Sequence, residues 1–187
     1  MNVILGSQSP RRKEILSVFL DQFEIHPLNV DESFPTSLPC EEVPLFLAEK
    51  KFNAYTNGQA DDMLICADTV VIHQNQILEK PINREQAIEM LRSLSGNTHL
   101  VVTGVCMGHA KNKSSFSCET LVRFSALSEN EITSYVDAYN PFDKAGSYGI
   151  QEWIGYAAVE SIQGCFYNVM GLPASKVYQG LKSFGIL

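Results

Sequence analysis

The run Met63-Leu64-Ile65-Cys66-Ala67-Asp68-Thr69-Val70-Val71-Ile72 constrains the fold more than any other part of the sequence. It is the most apolar stretch of the chain. Its length and β-branched content predict a central strand buried on both faces. Asp68 stands in the middle of it. A carboxylate at the centre of a buried strand is expensive unless it is paired or bound to a metal. A functional role is therefore favoured over that of a structural acid capping backbone N–H groups.

The N-terminus carries the second informative pattern. Val3-Ile4-Leu5 followed by Gly6-Ser7-Gln8-Ser9-Pro10-Arg11-Arg12 reads as strand, tight turn and helix start, with the helix running from Lys13 to Leu20. Ser9 is the expected N-cap and Pro10 the first helical residue, where a missing N–H is harmless. Ile15, Leu16, Phe19 and Leu20 mark its apolar face. Free N–H groups and two guanidiniums together suit a phosphate. The same Arg pair also reads as a solvated helix face. Positive charge at a helix N-terminus opposes the macrodipole, which an anion would compensate.

The 187 residues suffice for one well-buried core, in one domain over 1–187 that has room for two lobes. A hydrophobic content of 45% and a charged content of 19% are those of a folded globular protein rather than a disordered one. The net charge of −7 argues against a nucleic-acid or anionic-membrane surface. A few converging cations still suffice for a small phosphate ligand. Cys40, Cys66, Cys106, Cys118 and Cys165 show no zinc or redox spacing, so they read as buried thiols of a reducing cytoplasm. Neither an export signal nor a membrane span is expected.

Further along, Phe23 to Pro27 suggests a short strand and Asn29 to Cys40 a loop. Asp31 and Glu32 in that loop suit either a hard metal or simple solvation. Glu41 to Tyr55 predicts a helix closed by Asn57-Gly58, with Pro44 in its first turn. Lys50 and Lys51 on it diverge by about 100°, so at most one faces a site. Gln74-Asn75 predicts a hairpin returning through Gln76 to Pro81, with Lys80 able to reach back toward Asp68 if the strands pair. Asn83 and Gln86 resemble a capping box, and Gly96 ends that helix. A strand follows over Thr98 to Met107. His109 to Ser115 then reads as a hairpin loop and Phe116 to Phe124 as a strand. Ser128 and Glu131 form a capping box for a helix to Ala138. Two glycines in Phe142 to Gln151 permit close approach to a ligand. A last hairpin is expected from Tyr156 to Ile162 and Cys165 to Met170, then a helix from Pro173. Strands alternating with helices, then hairpins, imply an α/β fold with a mixed sheet. No P-loop or dinucleotide-binding fingerprint is present.

Taken jointly, Ser7 to Arg12, Ala67-Asp68-Thr69-Val70-Val71, Lys80-Pro81, Thr103-Gly104-Val105, Asp143 to Gly146, Gly149-Ile150-Gln151 and Asn168 to Pro173 resemble the Maf family of nucleoside triphosphate pyrophosphatases. The resemblance covers nearly the whole chain. It implies a twisted, mixed central sheet flanked by helices, in a single domain whose two lobes surround a nucleotide cleft. It also implies hydrolysis between the α and β phosphates with a divalent cation, Mg²⁺ or Mn²⁺.

By that resemblance Ser7, Arg11, Arg12, Lys51 and Lys80 hold the triphosphate. Lys51 is preferred to Lys50 because the family pattern places a Lys three residues after an Ala, here Ala48. Asp68 is the expected proton acceptor, Glu32 assists at the metal or water, and Lys80 belongs to the catalytic set with them. Asp68 and Glu32 are the expected metal ligands. Arg11, Thr69 and Gln151 match the class acting on dTTP and UTP, and a Gln amide offers a donor and an acceptor to a pyrimidine edge. The partner implied is a nucleoside triphosphate, with no nucleic acid and no membrane, and a homodimer is left open. Two alternatives stand: a sister pyrophosphatase acting on 7-methyl-GTP or modified nucleotides, and a nucleotide-binding regulator of septum formation with little catalysis. Four positions depart from the family pattern. Gly6 stands where Ala is usual, Cys66 where Gly is usual, Phe52 where Ala is usual, and Glu79 where Gly precedes Lys-Pro.

Overall fold

A computed structural model describes residues 2–56, 62–109 and 112–187. Its strands are β1 (Val3–Leu5), β2 (Glu24–Ile25), β3 (Met63–His73), β4 (Gln76–Leu78), β5 (Thr98–His109), β6 (Asn112–Phe124) and β7 (Val159–Gln163). The helices are α1 (Pro10–Ser17), α2 (Val43–Asn53), α3 (Arg84–Leu94), α4 (Glu129–Tyr139), α5 (Trp153–Ala157), α6 (Phe166–Met170) and α7 (Ala174–Ser183). Among the described residues the strands form one sheet in the order β2-β1-β3-β5-β6-β7, with β4 paired to β3. β1 runs parallel to β2 and β3, whereas β4 is antiparallel to β3 and β7 to β6. The sheet is therefore mixed, as expected.

The chain divides into two compact units. The first comprises 1–68, 103–118 and 171–187, and the second 69–102 and 119–170. In the first, the alternation of side chains along β5 assigns each helix a face. Gly104 and Cys106 point one way and Met107 the other. Ala48 and Phe52 of α2 pack with Ile4, Leu64, Cys66 and Cys106. A Cβ on Gly104 would lie 2.3 Å from the Leu45 backbone nitrogen, so the start of α2 lies directly on the strand. On the opposite face, a Cβ on Gly180 of α7 would meet Met107 Sδ at 2.5 Å. Helices thus flank this part of the sheet on both sides, and their apolar faces supply its core.

The second unit packs α3 against α4. α3 buries Ala87, Ile88, Leu91 and Leu94, while Ile132, Tyr135 and Val136 are the buried residues of α4. His99, Phe124 and Tyr148 make a buried edge-to-face aromatic cluster with centroids 5.0–5.4 Å apart. The β3–β4 turn has Gln74 and Asn75 at φ +50° and +60°, the geometry of a type I′ hairpin.

Several expectations need correction. No hairpin joins Tyr156 to Met170: α5 and α6 are helices, and β7 alone remains a strand, paired with β6. β7 takes a partner distant in the chain, which the local pattern of so short a segment does not specify. Residues 112–115 belong to β6 rather than to a loop. Gln86 does accept a backbone N–H, but from Ile82 rather than Asn83. α1 ends at Ser17, and Phe19 and Leu20 lie beyond it, half-buried. Only Cys66 and Cys106 are fully buried, and none of the five cysteines forms a disulfide. The expected helix stop at Asn57-Gly58 lies outside the described residues. No described helix is long and apolar enough to cross a membrane.

Candidate active site

Parallel pairing of β1 with β3, Leu5 opposite Ile65, ends β1 beside the interior of the longer β3. The chain leaves β1 through Gly6, whose N–H donates to Ile65 O at 2.8 Å. Ser7 and the start of α1 follow. β3 delivers Asp68 three residues past Ile65, just beyond the carboxyl end of β1, the end at which ligands of open α/β sheets bind. Ser9 caps α1, its Oγ accepting the Arg12 N–H at 3.4 Å, and Pro10 occupies the first turn.

Arg12 joins these pieces. Its Nη1 donates to Ala67 O at 2.7 Å and to Ser7 Oγ at 3.2 Å, and its Nε donates to Gly171 O at 2.8 Å. The guanidinium therefore fixes the β1–α1 turn to the residue before Asp68. Burial pulls its pKa below the ordinary value, Asp68 opposes that shift, and neighbouring Arg11 adds to it. Arg11 is half-buried in the same helical turn. Ser7 Oγ also accepts the Ser9 N–H at 3.2 Å. With two donors already on its oxygen, the Ser7 hydroxyl proton is the part suited to a phosphate oxygen.

Lys51 lies on the inner face of α2, in register with Ala48 and Phe52, and its side chain is 10% exposed. Its Nζ is 2.5 Å from Asp68 Oδ1 and 2.8 Å from Glu32 Oε1. Lys50 points outward, donates to Ser33 O at 3.1 Å and pairs with Asp31 at 3.6 Å. The two lysines diverge as expected, Lys51 facing inward and Lys50 outward. One ammonium thus draws together an acid of the loop and the acid of the central strand. On Asp68 the oxygen that the ammonium holds is Oδ1.

Thr69, Lys80 and Gln151 belong to the second unit. Thr69 is half-buried and Lys80 is exposed beyond the end of β4. Gln151 follows Gly149 and Ile150. A Cβ on Gly149 would lie 3.0 Å from Gln151 Nε2, so the side-chain amide is folded over the glycine. Gln151 Oε1 is buried without a hydrogen-bond partner among the described residues. An unmatched buried acceptor costs ~1–3 kcal/mol, which a donor supplied by a ligand would recover.

For a divalent cation, the donors available are the carboxylates of Asp68 and Glu32, both within reach of the same ammonium. No group of three or more His, Cys, Asp or Glu suited to a metal exists among the described residues. Two carboxylates suit Mg²⁺, which keeps waters and takes its remaining ligands from substrate phosphates. The donor set fits.

Two contacts are not evident from the sequence. The Gly171 carbonyl, presented by a residue at φ +110° that favours glycine, holds Arg12. Lys144 is buried, 2.7 Å from Asp143 Oδ1 and 3.3 Å from Glu152 Oε1. Lys144 stands in the Asp143 to Gly146 segment of the family pattern, but that pattern attaches no partner to it.

A family model described as Maf-like protein matches residues 2–184. A Porphyromonas gingivalis protein named dTTP/UTP pyrophosphatase is 54% identical over 187 residues, spanning 98% of this chain and 94% of that protein. A Bacteroides fragilis protein of the same name is 50% identical over 182 residues, 96% of this chain and 94% of its own length. One from Parabacteroides distasonis, also so named, is 49% identical over 184 residues, 97% of this chain and 95% of its own.

Proposed function

The chain belongs to the Maf family, and from that premise we propose that it hydrolyses nucleoside triphosphates, chiefly dTTP and UTP, between the α and β phosphates. The products are a nucleoside monophosphate and pyrophosphate. The observation that carries the reading is the convergence of Asp68 and Glu32 on Lys51, with Arg12 fixing the adjoining turn.

In this reading Lys51 holds Asp68 Oδ1 and leaves Oδ2 to accept a proton from water. The water oxygen attacks the α phosphorus, and the bond from that phosphorus to the α–β bridging oxygen breaks. Pyrophosphate leaves with the bridging oxygen. Ser7, Arg11, Arg12 and Lys80 neutralise the polyphosphate, so catalysis is positioning plus stabilisation of charge. Asp68 and Glu32 would hold Mg²⁺ or Mn²⁺, which when bound offsets phosphate charge. Gln151 reads the base. Its orphan Oε1 accepts the N3–H of uracil or thymine, and Nε2 donates to a flanking carbonyl. Cytosine offers an acceptor at N3, so pairing with it requires the Gln151 amide to turn over, with Oε1 toward the N4 amino group. Thr69 and Arg11 complete the selectivity set. The cytoplasm, where such nucleotides are kept, is the compartment this reading assigns.

Pyrophosphate release across a nucleotide panel with Mg²⁺ or Mn²⁺ tests it. Turnover of dTTP and UTP is expected. Activity confined to purine triphosphates would refute the assignment of substrate, and silence on every nucleotide would favour a binding regulator.

A further inference from the structure

The segment carrying Gln151 is clamped by a buried polar network that the reaction itself does not call for. Tyr135 of α4 accepts the Gly149 N–H at 3.0 Å and donates its hydroxyl proton to Glu152 Oε2. The other oxygen of Glu152 lies 3.3 Å from Lys144 Nζ, and Lys144 is also 2.7 Å from Asp143. The Glu152 N–H closes the loop on Gly149 O at 2.9 Å. Both neighbours of the Ile150-Gln151 pair are therefore tied down, and Ile150 itself is buried.

Two details set this apart from ordinary surface pairing. The Lys144 side chain is 9% exposed and that of Glu152 17%. A buried ion pair of this kind contributes little net stability over an apolar replacement, so its value lies in fixing one geometry. Glu152 also stands at the N-cap of α5 yet makes no capping hydrogen bond. Its carboxylate is turned instead toward Tyr135 and Lys144. Burial, and the bond to Glu152, push the Tyr135 phenol above its ordinary range, so the hydroxyl keeps its proton.

We propose that the Lys144–Glu152–Tyr135 network is the positioning device for Gln151, and that nucleotide selectivity depends on it. The proposal rests on the assignment of Gln151 as the base-reading residue. Gly149 is the link: its N–H is held by Tyr135, its Cα packs on the Glu152 carboxyl, and the Gln151 amide lies against it. Released from Tyr135, Gly149 shifts and the amide loses its aim. Tyr135, Glu152 and Lys144 act through Gln151 and need not touch the substrate.

Tyr135→Phe tests this with little change of shape, because the ring retains its stacking on Tyr139 and Trp153. The expected result is a ~3–10-fold fall in kcat/KM for dTTP and UTP, carried by KM, with kcat preserved and the dTTP-to-GTP preference narrowed. Glu152→Gln should do the same. Lys144→Arg should retain more selectivity than Lys144→Met. The Tyr135→Phe and Gln151→Ala effects on selectivity should be non-additive in a double-mutant cycle. An equal loss on every nucleotide that follows a lowered melting temperature would overturn the proposal, as would additivity in the cycle. If Gln151→Ala narrows the preference and Tyr135→Phe does not, the positioning role alone fails. If Gln151→Ala leaves the preference intact, the base-reading assignment fails first.

Discussion

Cys66 and Gly6 show how two departures from a family pattern form one exchange. A Cβ on Gly6 would lie 2.6 Å from Cys66 Sγ and 3.0 Å from Leu28. The thiol occupies the volume that a methyl at position 6 would need, directly under the turn that carries Ser7. Gly6→Ala is therefore expected to destabilise by ~1–3 kcal/mol through overpacking. Cys66→Gly should destabilise as well, through a cavity and a flexible strand residue. The double substitution should recover most of the loss, measured by urea unfolding of all four proteins. Strict additivity of the two penalties would show that the positions are independent. Burial, with Cys106 nearby, pushes the Cys66 thiol up to about 12, so the group packs and does not react. Phe52, a third departure, is buried and enlarges the same core. The Glu79 side chain is exposed, and its carbonyl accepts the Gly146 N–H at 3.3 Å. These packing relations were invisible in the sequence because each joins residues of different elements.

At the scale of elements, β5 carries a second buried titratable group. His99 Nε2 is 2.7 Å from Tyr148 Oη, and its Nδ1 is buried without a partner among the described residues. Burial lowers its pKa to about 3, with His73 adding to the shift. The unfolded chain binds this proton near pH 6.5, whereas the folded chain does not until about pH 3. Stability from this group is thus complete above pH 6.5 and falls as the pH drops toward 3. Between pH 7 and pH 5 the loss is about 2 kcal/mol. Urea midpoints of the native protein and His99→Gln at both pH values check it: the variant should lose less on acidification, and an identical loss would exclude His99 as the source. Elements whose signals are local were legible in the sequence. The Ser9 cap, the Ser128–Glu131 capping box and the Gln74-Asn75 hairpin all formed as read. α5, β7 and α6 were not legible, because their form is set by distant partners. β7 depends on β6, and Asn168 of α6 is buried against Val101 O and Thr120 Oγ1.

Across the whole molecule, the mixed α/β sheet followed from one apolar run and the order of elements around it. Asp68 announced itself by being charged where the strand should be apolar. Lys51 was named from Ala48 and the family pattern, whereas its ion pairs are visible only in the structure. The inner face of α2 delivers its ammonium to Asp68 and Glu32. Arg12 was legible as a cation but not as a tie between Ser7, Ala67 and Gly171, since two of those partners are backbone carbonyls distant in the chain. The network joining Lys144, Glu152 and Tyr135 was not legible, because it links residues of different elements, although Lys144 stands in the Asp143 to Gly146 segment of the family pattern. The account stands on Asp68 as the proton acceptor for water attacking the α phosphorus. Its most direct test is Asp68→Asn, with dTTP binding and pyrophosphate release measured on the same preparation. Binding should persist within a few-fold while release falls by ~10²–10⁴. Release at the native rate from a dTTP-binding Asp68→Asn protein would contradict the account.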